Sequence, residues 1–161
     1  MKRHHLFVGA TGLVLAIGAT LFFWEESGSD DAALLRPEDA ETVALGRMVY
    51  KENCASCHGI DLEGEPDWRT RRPDGLLPAP PHDETGHTWH HPDQVLFDIT
   101  KLGLARAANL ENYETAMPAY EGILTDDEII AVLSFIKSTW PAEIRDRHDE
   151  LNRISPSEQR Q

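Results

Sequence analysis

A chain of 161 residues and 18.1 kDa suits one small domain with appendages. Its formal net charge of −13 and sequence pI near 4.9 argue against nucleic acid as a partner. A protein with a basic docking face suits such a surface better.

The charge is unevenly spread. Every Asp and Glu lies beyond position 24, while Lys2 and Arg3 lie before it. Leu6–Trp24 is an uncharged run that, as a helix, would span roughly 28 Å, close to the ~30 Å of bilayer hydrocarbon. Residues 1–24 therefore read as a single N-terminal transmembrane helix, and the positive-inside rule puts the rest of the chain outside the cytoplasm. A cleaved signal peptide is the competing account. Its usual small-residue cleavage site is missing where the run ends at Phe22-Phe23-Trp24, and Ser27-Gly28-Ser29 is a weak substitute. Either account carries the domain across a membrane.

Residues 25–36 read as a polar linker. Pro37 can open a helix whose first turn is favoured by Glu38, Asp39 and Glu41, and Val43, Ala44, Met48 and Val49 recur at helical spacing up to about Glu52. Gly46 inside that helix costs about 1 kcal/mol relative to alanine, which a close helix crossing would explain. Next comes Cys54-Ala55-Ser56-Cys57-His58, the C-x-x-C-H pattern of haem attachment. Each thiol can add to one vinyl group of a haem, and the histidine can supply an axial nitrogen to the iron. Met48 could ligate an iron, but its place on a packed helix ten residues before His58 makes it read as a core residue. With only two cysteines in the chain, a four-cysteine zinc site is impossible. The rival reading is a thioredoxin-like redox pair, but no β-α-β pattern surrounds the motif.

From Gly59 to Pro92 the chain is rich in proline and poor in periodicity. A haem needs walls, and Leu62, Trp68, Leu76 and Leu77 can supply them. Arg69, Arg71 and Arg72 form a basic cluster, read either as a solvated loop or as a contact for haem propionates or a partner. His82, His87, His90 and His91 could form a second metal site for copper or zinc, although their spacing matches no defined motif and surface or capping roles compete. Pro92–Leu102 reads as a helix with Gly103 as its cap. Residues 104–116 read as a connection. Pro118 pushes Met117 out of helical geometry, so that its thioether is offered from a loop. Thr125-Asp126-Asp127-Glu128 is a capping box opening a helix with Ile129, Val132, Leu133, Phe135 and Ile136 spaced for burial; Trp140-Pro141 closes it. Residues 141–161 read as a charged, weakly helical tail on the surface.

In this order the pieces resemble a class I cytochrome c, specifically the membrane-anchored bacterial monohaem type. The resemblance covers residues 37–140 and rests on Cys54-Ala55-Ser56-Cys57-His58, on Met117-Pro118 and on the helix ending Leu133-Ser134-Phe135-Ile136-Lys137. It implies an all-α fold around one covalent haem c, held through Cys54 and Cys57, with His58 and Met117 as iron ligands. It also implies a crossing of first and last helices at Gly46 and Phe135 beside Tyr50, and a proline carbonyl, from Pro78 or Pro80, that orients His58. The expected role is electron transfer rather than enzymatic catalysis. The carrier would be tethered to the inner (cytoplasmic) membrane with its haem domain on the periplasmic side. A quinol–cytochrome c reductase, a dehydrogenase or a terminal oxidase would be its partner. The alternatives are a fixed haem subunit of a membrane oxidoreductase, and a haem sensor or metal-handling protein using His82–His91.

Overall fold

The structure, a computed structural model, describes residues 33–155. The expected anchor at Leu6–Trp24 lies outside them, and among the described residues no helix is long and apolar enough to cross a membrane. Among those residues the regular structure is helical, the β structure amounting to an isolated bridge between Glu121 and Leu124. This agrees with the all-α expectation.

Helix α1 spans Ala40–Asn53. It starts later than Pro37 because the Asp39 carboxylate accepts the Thr42 N–H at 2.7 Å and caps the first turn. Its buried residues are Thr42, Gly46, Val49 and Tyr50, a single helical stripe. Met48 is not core: it is 61% exposed, with Leu45 beside it at 40%. The stripe is chosen by Gly46, which lets α1 close onto α5, Asp126–Ser138, at Ala131 and Phe135. These two helices make the most extensive contact between helices in the fold. The Tyr50 and Phe135 rings meet 5.5 Å apart. Helix α5 opens with the expected capping box, Thr125 N–H donating to the Glu128 carboxylate at 2.8 Å and the Thr125 hydroxyl accepting the Glu128 N–H at 3.3 Å. From Ile129 to Lys137 only Ile130 escapes full burial, so α5 is the central helix.

Around this pair stand α2, Ala55–His58, and α3, Asp93–Leu102, which ends at Gly103 with φ 82°; α4, Leu104–Ala107, follows. Residues 59–92 form the expected irregular wrap, relieved by a 3₁₀ turn at Thr88–His90.

Residues 142–154 depart from the reading of a weakly helical surface tail. They form α6, Ala142–Ile154, whose inward face is Ile144, His148, Leu151 and Asn152, with His148 fully buried. A polar clasp seats it. Asp93 accepts the Asn152 side-chain amide at 2.9 Å and the Leu35 N–H at 3.0 Å, and its own N–H donates to Asn152 at 2.8 Å. His148 donates through Nε2 to the His91 carbonyl at 2.9 Å, and its buried Nδ1 has no partner. The ammonium of Lys137, 1% exposed, reaches Asp149 at 2.5 Å and Asp93 at 3.9 Å. Burying such groups is tolerable because nearly every one finds a partner.

Candidate functional site

The site begins where α1 ends. Cys54 donates its N–H to the Tyr50 carbonyl at 2.8 Å, closing α1, and at the same time caps α2. The single turn of α2 puts Cys54 and Cys57, three residues apart, on one side. Both thiols are free; Cys57 is exposed and Cys54 half-buried. Burial, with Cys57 adding to it, pushes the Cys54 thiol up to about 11. A thioredoxin-type pair works through a depressed thiol, the opposite of the direction in which burial moves Cys54.

His58 ends α2 and is buried, because Gly59 at φ 81° turns the chain back at once. The Tyr50 hydroxyl donates to the Gly59 carbonyl at 2.8 Å and lies 3.3 Å from that of His58, which fastens the turn to α1. His58 Nδ1–H donates to the Pro80 carbonyl at 2.8 Å. Pro80 rather than Pro78 therefore orients the ring. A carbonyl can only accept, so this bond fixes the proton on Nδ1 and leaves the Nε2 lone pair for a metal. Burial lowers the His58 pKa, against the smaller opposing pulls of the Pro80 bond and Glu65, which favours the neutral imidazole that a metal binds. Two free thiols and a preset Nε2 on one helical turn fit a covalent haem. Cys54, Cys57 and His58 would hold it.

Met117 is half-buried in the loop ahead of Pro118, its N–H donating to the Thr115 hydroxyl at 3.1 Å. It lines a cleft of about 660 Å³ with Leu102, Leu104, Arg106 and Leu110. Cys54, Cys57 and His58 are not among the walls of that cleft. The two segments are joined by a residue that sequence reasoning passed over. Tyr120 donates its hydroxyl to the Asn53 carbonyl at 2.6 Å and its N–H to that of Thr100 at 3.1 Å. Burial pushes the Tyr120 phenol up to about 12, with Cys54 and Cys57 adding to the effect, so it stays a donor. A tyrosine three residues after the methionine was the available signal.

The four downstream histidines do not gather round one point, although the His87 and His91 rings meet edge-on at 5.6 Å. His82 lies flat on His58, rings 4.0 Å apart and 22° off parallel, and is hydrogen-bonded through Nδ1 to the Thr88 hydroxyl at 2.8 Å. Burial holds His82 well below the usual histidine range, with His58 and His87 adding to the effect. His87 stacks on Trp68 at 5.3 Å, and His90 stacks on Trp89 at 3.7 Å. The carbonyl of His91 serves α6. Among the described residues, no group of three or more His, Cys, Asp or Glu side chains could hold a metal ion. The arginine cluster is likewise dispersed. Arg72 pairs with Glu65 at 2.5 Å, Arg71 donates to the Gly75 carbonyl at 2.6 Å, and Arg69 lies over the Trp68 ring at 3.9 Å. Of the expected wall residues, Leu62 is buried, Trp68 and Leu76 are half-buried, and Leu77 is exposed.

Comparison with known proteins agrees with this geometry. The chain is 31% identical over 133 residues to a protein of Stutzerimonas stutzeri named nitrite reductase, an overlap of 75% of this chain and 21% of that protein. The chain thus spans about a fifth of the length of this curated relative. No solved structure matches it. Residues 43–140 match the cytochrome c family, a span from α1 to Trp140 that holds Cys54, Cys57, His58 and Met117 and stops short of α6. A domain of this kind carries covalent haem c and works by haem-based electron transfer, and the chain belongs to the cytochrome c family.

Proposed function

We propose that the protein is a membrane-tethered electron carrier whose haem is held by thioether bonds to Cys54 and Cys57, with His58 and Met117 as axial ligands. The observation that carries this reading is the His58 Nδ1–H bond to the Pro80 carbonyl, next to two free thiols on one helical turn. When bound, the haem supplies an iron that alternates between ferrous and ferric states. The protein's residues set the terms of that exchange. Pro80 holds His58 in the ligating tautomer, and the Met117 thioether favours the ferrous form relative to a second nitrogen. Tyr120 keeps the methionine loop attached to the end of α1. With His58 and Met117 both holding the iron, no coordination site would stay open for a substrate, which would make the protein a carrier rather than an enzyme.

Leu6–Trp24 would anchor the chain in the inner membrane with the haem domain on the periplasmic side. A tether raises the effective concentration near membrane partners, so weak docking of an acidic surface on a basic one suffices. A quinol–cytochrome c reductase, a dehydrogenase or a terminal oxidase fits that role. A second reading, a fixed haem subunit of a larger oxidoreductase, is supported by the likeness to part of a much longer protein named nitrite reductase. Isolation of the native protein separates the two: a carrier leaves detergent-washed membranes alone, a subunit in a stoichiometric complex. Acid–organic extraction should leave haem on the polypeptide, and joint Cys54→Ala and Cys57→Ala should abolish the holoprotein. Haem released freely from the wild type would sink the attachment. Recovery of the native protein in the soluble periplasmic fraction would refute the tether.

A further inference from the structure

His82 is held at three points within the irregular wrap. Its N–H donates to the Leu62 carbonyl at 2.8 Å, its carbonyl accepts the Trp140 indole N–H at 2.7 Å, and its Nδ1 is bonded to the Thr88 hydroxyl at 2.8 Å. Leu62 holds its own end of this arrangement at φ 65°, a left-handed backbone that a branched residue rarely adopts. The Tyr50 ring meets the His82 ring edge-on at 6.3 Å. All this fixing serves one contact, the imidazole plane laid against that of His58 at 4.0 Å and 22°.

The Pro80 bond leaves one freedom in His58 unaccounted for. A single Nδ1–H···O=C bond fixes the tautomer and one direction in the ring plane, yet the ring can still rock about the line joining donor and acceptor. A flat neighbour on one face stops that rocking. We propose that His82 is a positioning residue, the plate against which His58 is set so that its Nε2 faces the iron in one orientation. The proposal rests on the reading of His58 as an axial ligand. Outer partners of metal-bound histidines set ring orientation and ligand basicity. Here a hydrogen bond and a stacked plane divide that task between Pro80 and His82.

The test uses the full-length holoprotein. His82→Leu fills similar space without a flat ring, His82→Phe restores the ring without the bond to Thr88, and Thr88→Val keeps the ring but frees it. The readouts are the ferric low-spin electron paramagnetic resonance g values, which follow the axial imidazole plane, and the midpoint potential. His82→Leu should shift the g values and raise the potential, because a rocking His58 bonds Pro80 less well and donates less to the iron. His82→Phe should return the g values towards wild type, and Thr88→Val should broaden them. Wild-type g values in His82→Leu, or identical spectra for His82→Leu and His82→Phe, would overturn the proposal. If His82→Leu yields no holoprotein, Thr88→Val decides alone: sharp wild-type signals there refute it. Hyperfine coupling from 15N-labelled histidine, distinct from that of the four haem nitrogens and compared between wild type and His58→Ala, isolates the underlying reading; its absence from the wild type would remove His58 as a ligand, a failure separate from that of His82.

Discussion

Gly46 and Ala131 meet backbone against backbone. A β-carbon on Gly46 would overlap the Ala131 carbonyl oxygen and stand 2.8 Å from the β-carbon of Phe135. Two effects of Gly46→Ala oppose each other: helix propensity gains about 1 kcal/mol, while overpacking costs typically about 1–3 kcal/mol. The obstacle is main chain rather than the end of a flexible side chain, so the cost belongs at the upper end. Net destabilisation on the order of 1–2 kcal/mol should appear as a lowered denaturant midpoint. An unchanged or raised midpoint would show that the helices part without penalty.

Met117→Ala should open one side of the iron. Carbon monoxide, excluded from the reduced wild type, should then bind and shift the Soret band, and the midpoint potential should fall because the thioether no longer favours the ferrous form. The same phenotype from Met48→Leu would contradict the 61% exposure of that side chain on the outer face of α1.

His148 should make stability fall in mild acid. Burial lowers its pKa, as does the Lys137 charge, against opposing pulls from Asp93, the His91 carbonyl and Asp149. In the unfolded chain histidine titrates near ~6.5, so below that value the unfolded state takes up a proton that the folded state resists. The contribution is intact above about pH 6.5, declines as pH falls and levels off below the folded pKa. His58, His82, His87 and His91 are shifted in the same direction, so the informative quantity is a difference. His148→Phe should flatten part of the slope between pH 7.5 and 5; parallel wild-type and variant curves would exclude His148 as its source.

Lys137→Met should be costly despite its apolar replacement. The ammonium is 1% exposed and Asp93 is 7% exposed, and removing one member of a buried pair costs about 3–5 kcal/mol. Asp149 is 57% exposed and Asp93 keeps Leu35 and Asn152, so the lower end, about 3 kcal/mol, is expected in a urea titration. Asp149→Asn should cost far less, because water already reaches that carboxylate.

What could be read from the sequence divides along physical lines. Cys54, Cys57, His58 and the Thr125–Glu128 capping box depend on neighbours near in sequence, whereas the Gly46–Phe135 crossing came from the resemblance to class I cytochromes c. Met48 misled because apolar character alone did not say which stripe of α1 faces inward; Gly46 decided it. The choice of Pro80 over Pro78 and the separation of His82 from His87, His90 and His91 depend on how an aperiodic loop folds back, which spacing does not encode. Helix α6 was read as a weakly helical surface tail for another reason. Its inner stripe, Ile144–His148–Leu151, has a histidine at its centre, and what seats it is a polar clasp rather than an apolar face.

That clasp also decides how the molecule would bear a load. Near the start of the described chain, Leu35 and Arg36 hang on Asp93 and on the Ser134 hydroxyl at 3.0 and 2.8 Å, and Glu38 grips Arg145 of α6 at 2.6 Å. A pull from anything holding the chain ahead of Leu35 would run into α3, α5 and α6. None of these contacts touches residues 54–58 or Met117. A load there would fall first on side chains of α3, α5 and α6 rather than directly on Cys54, Cys57, His58 or Met117.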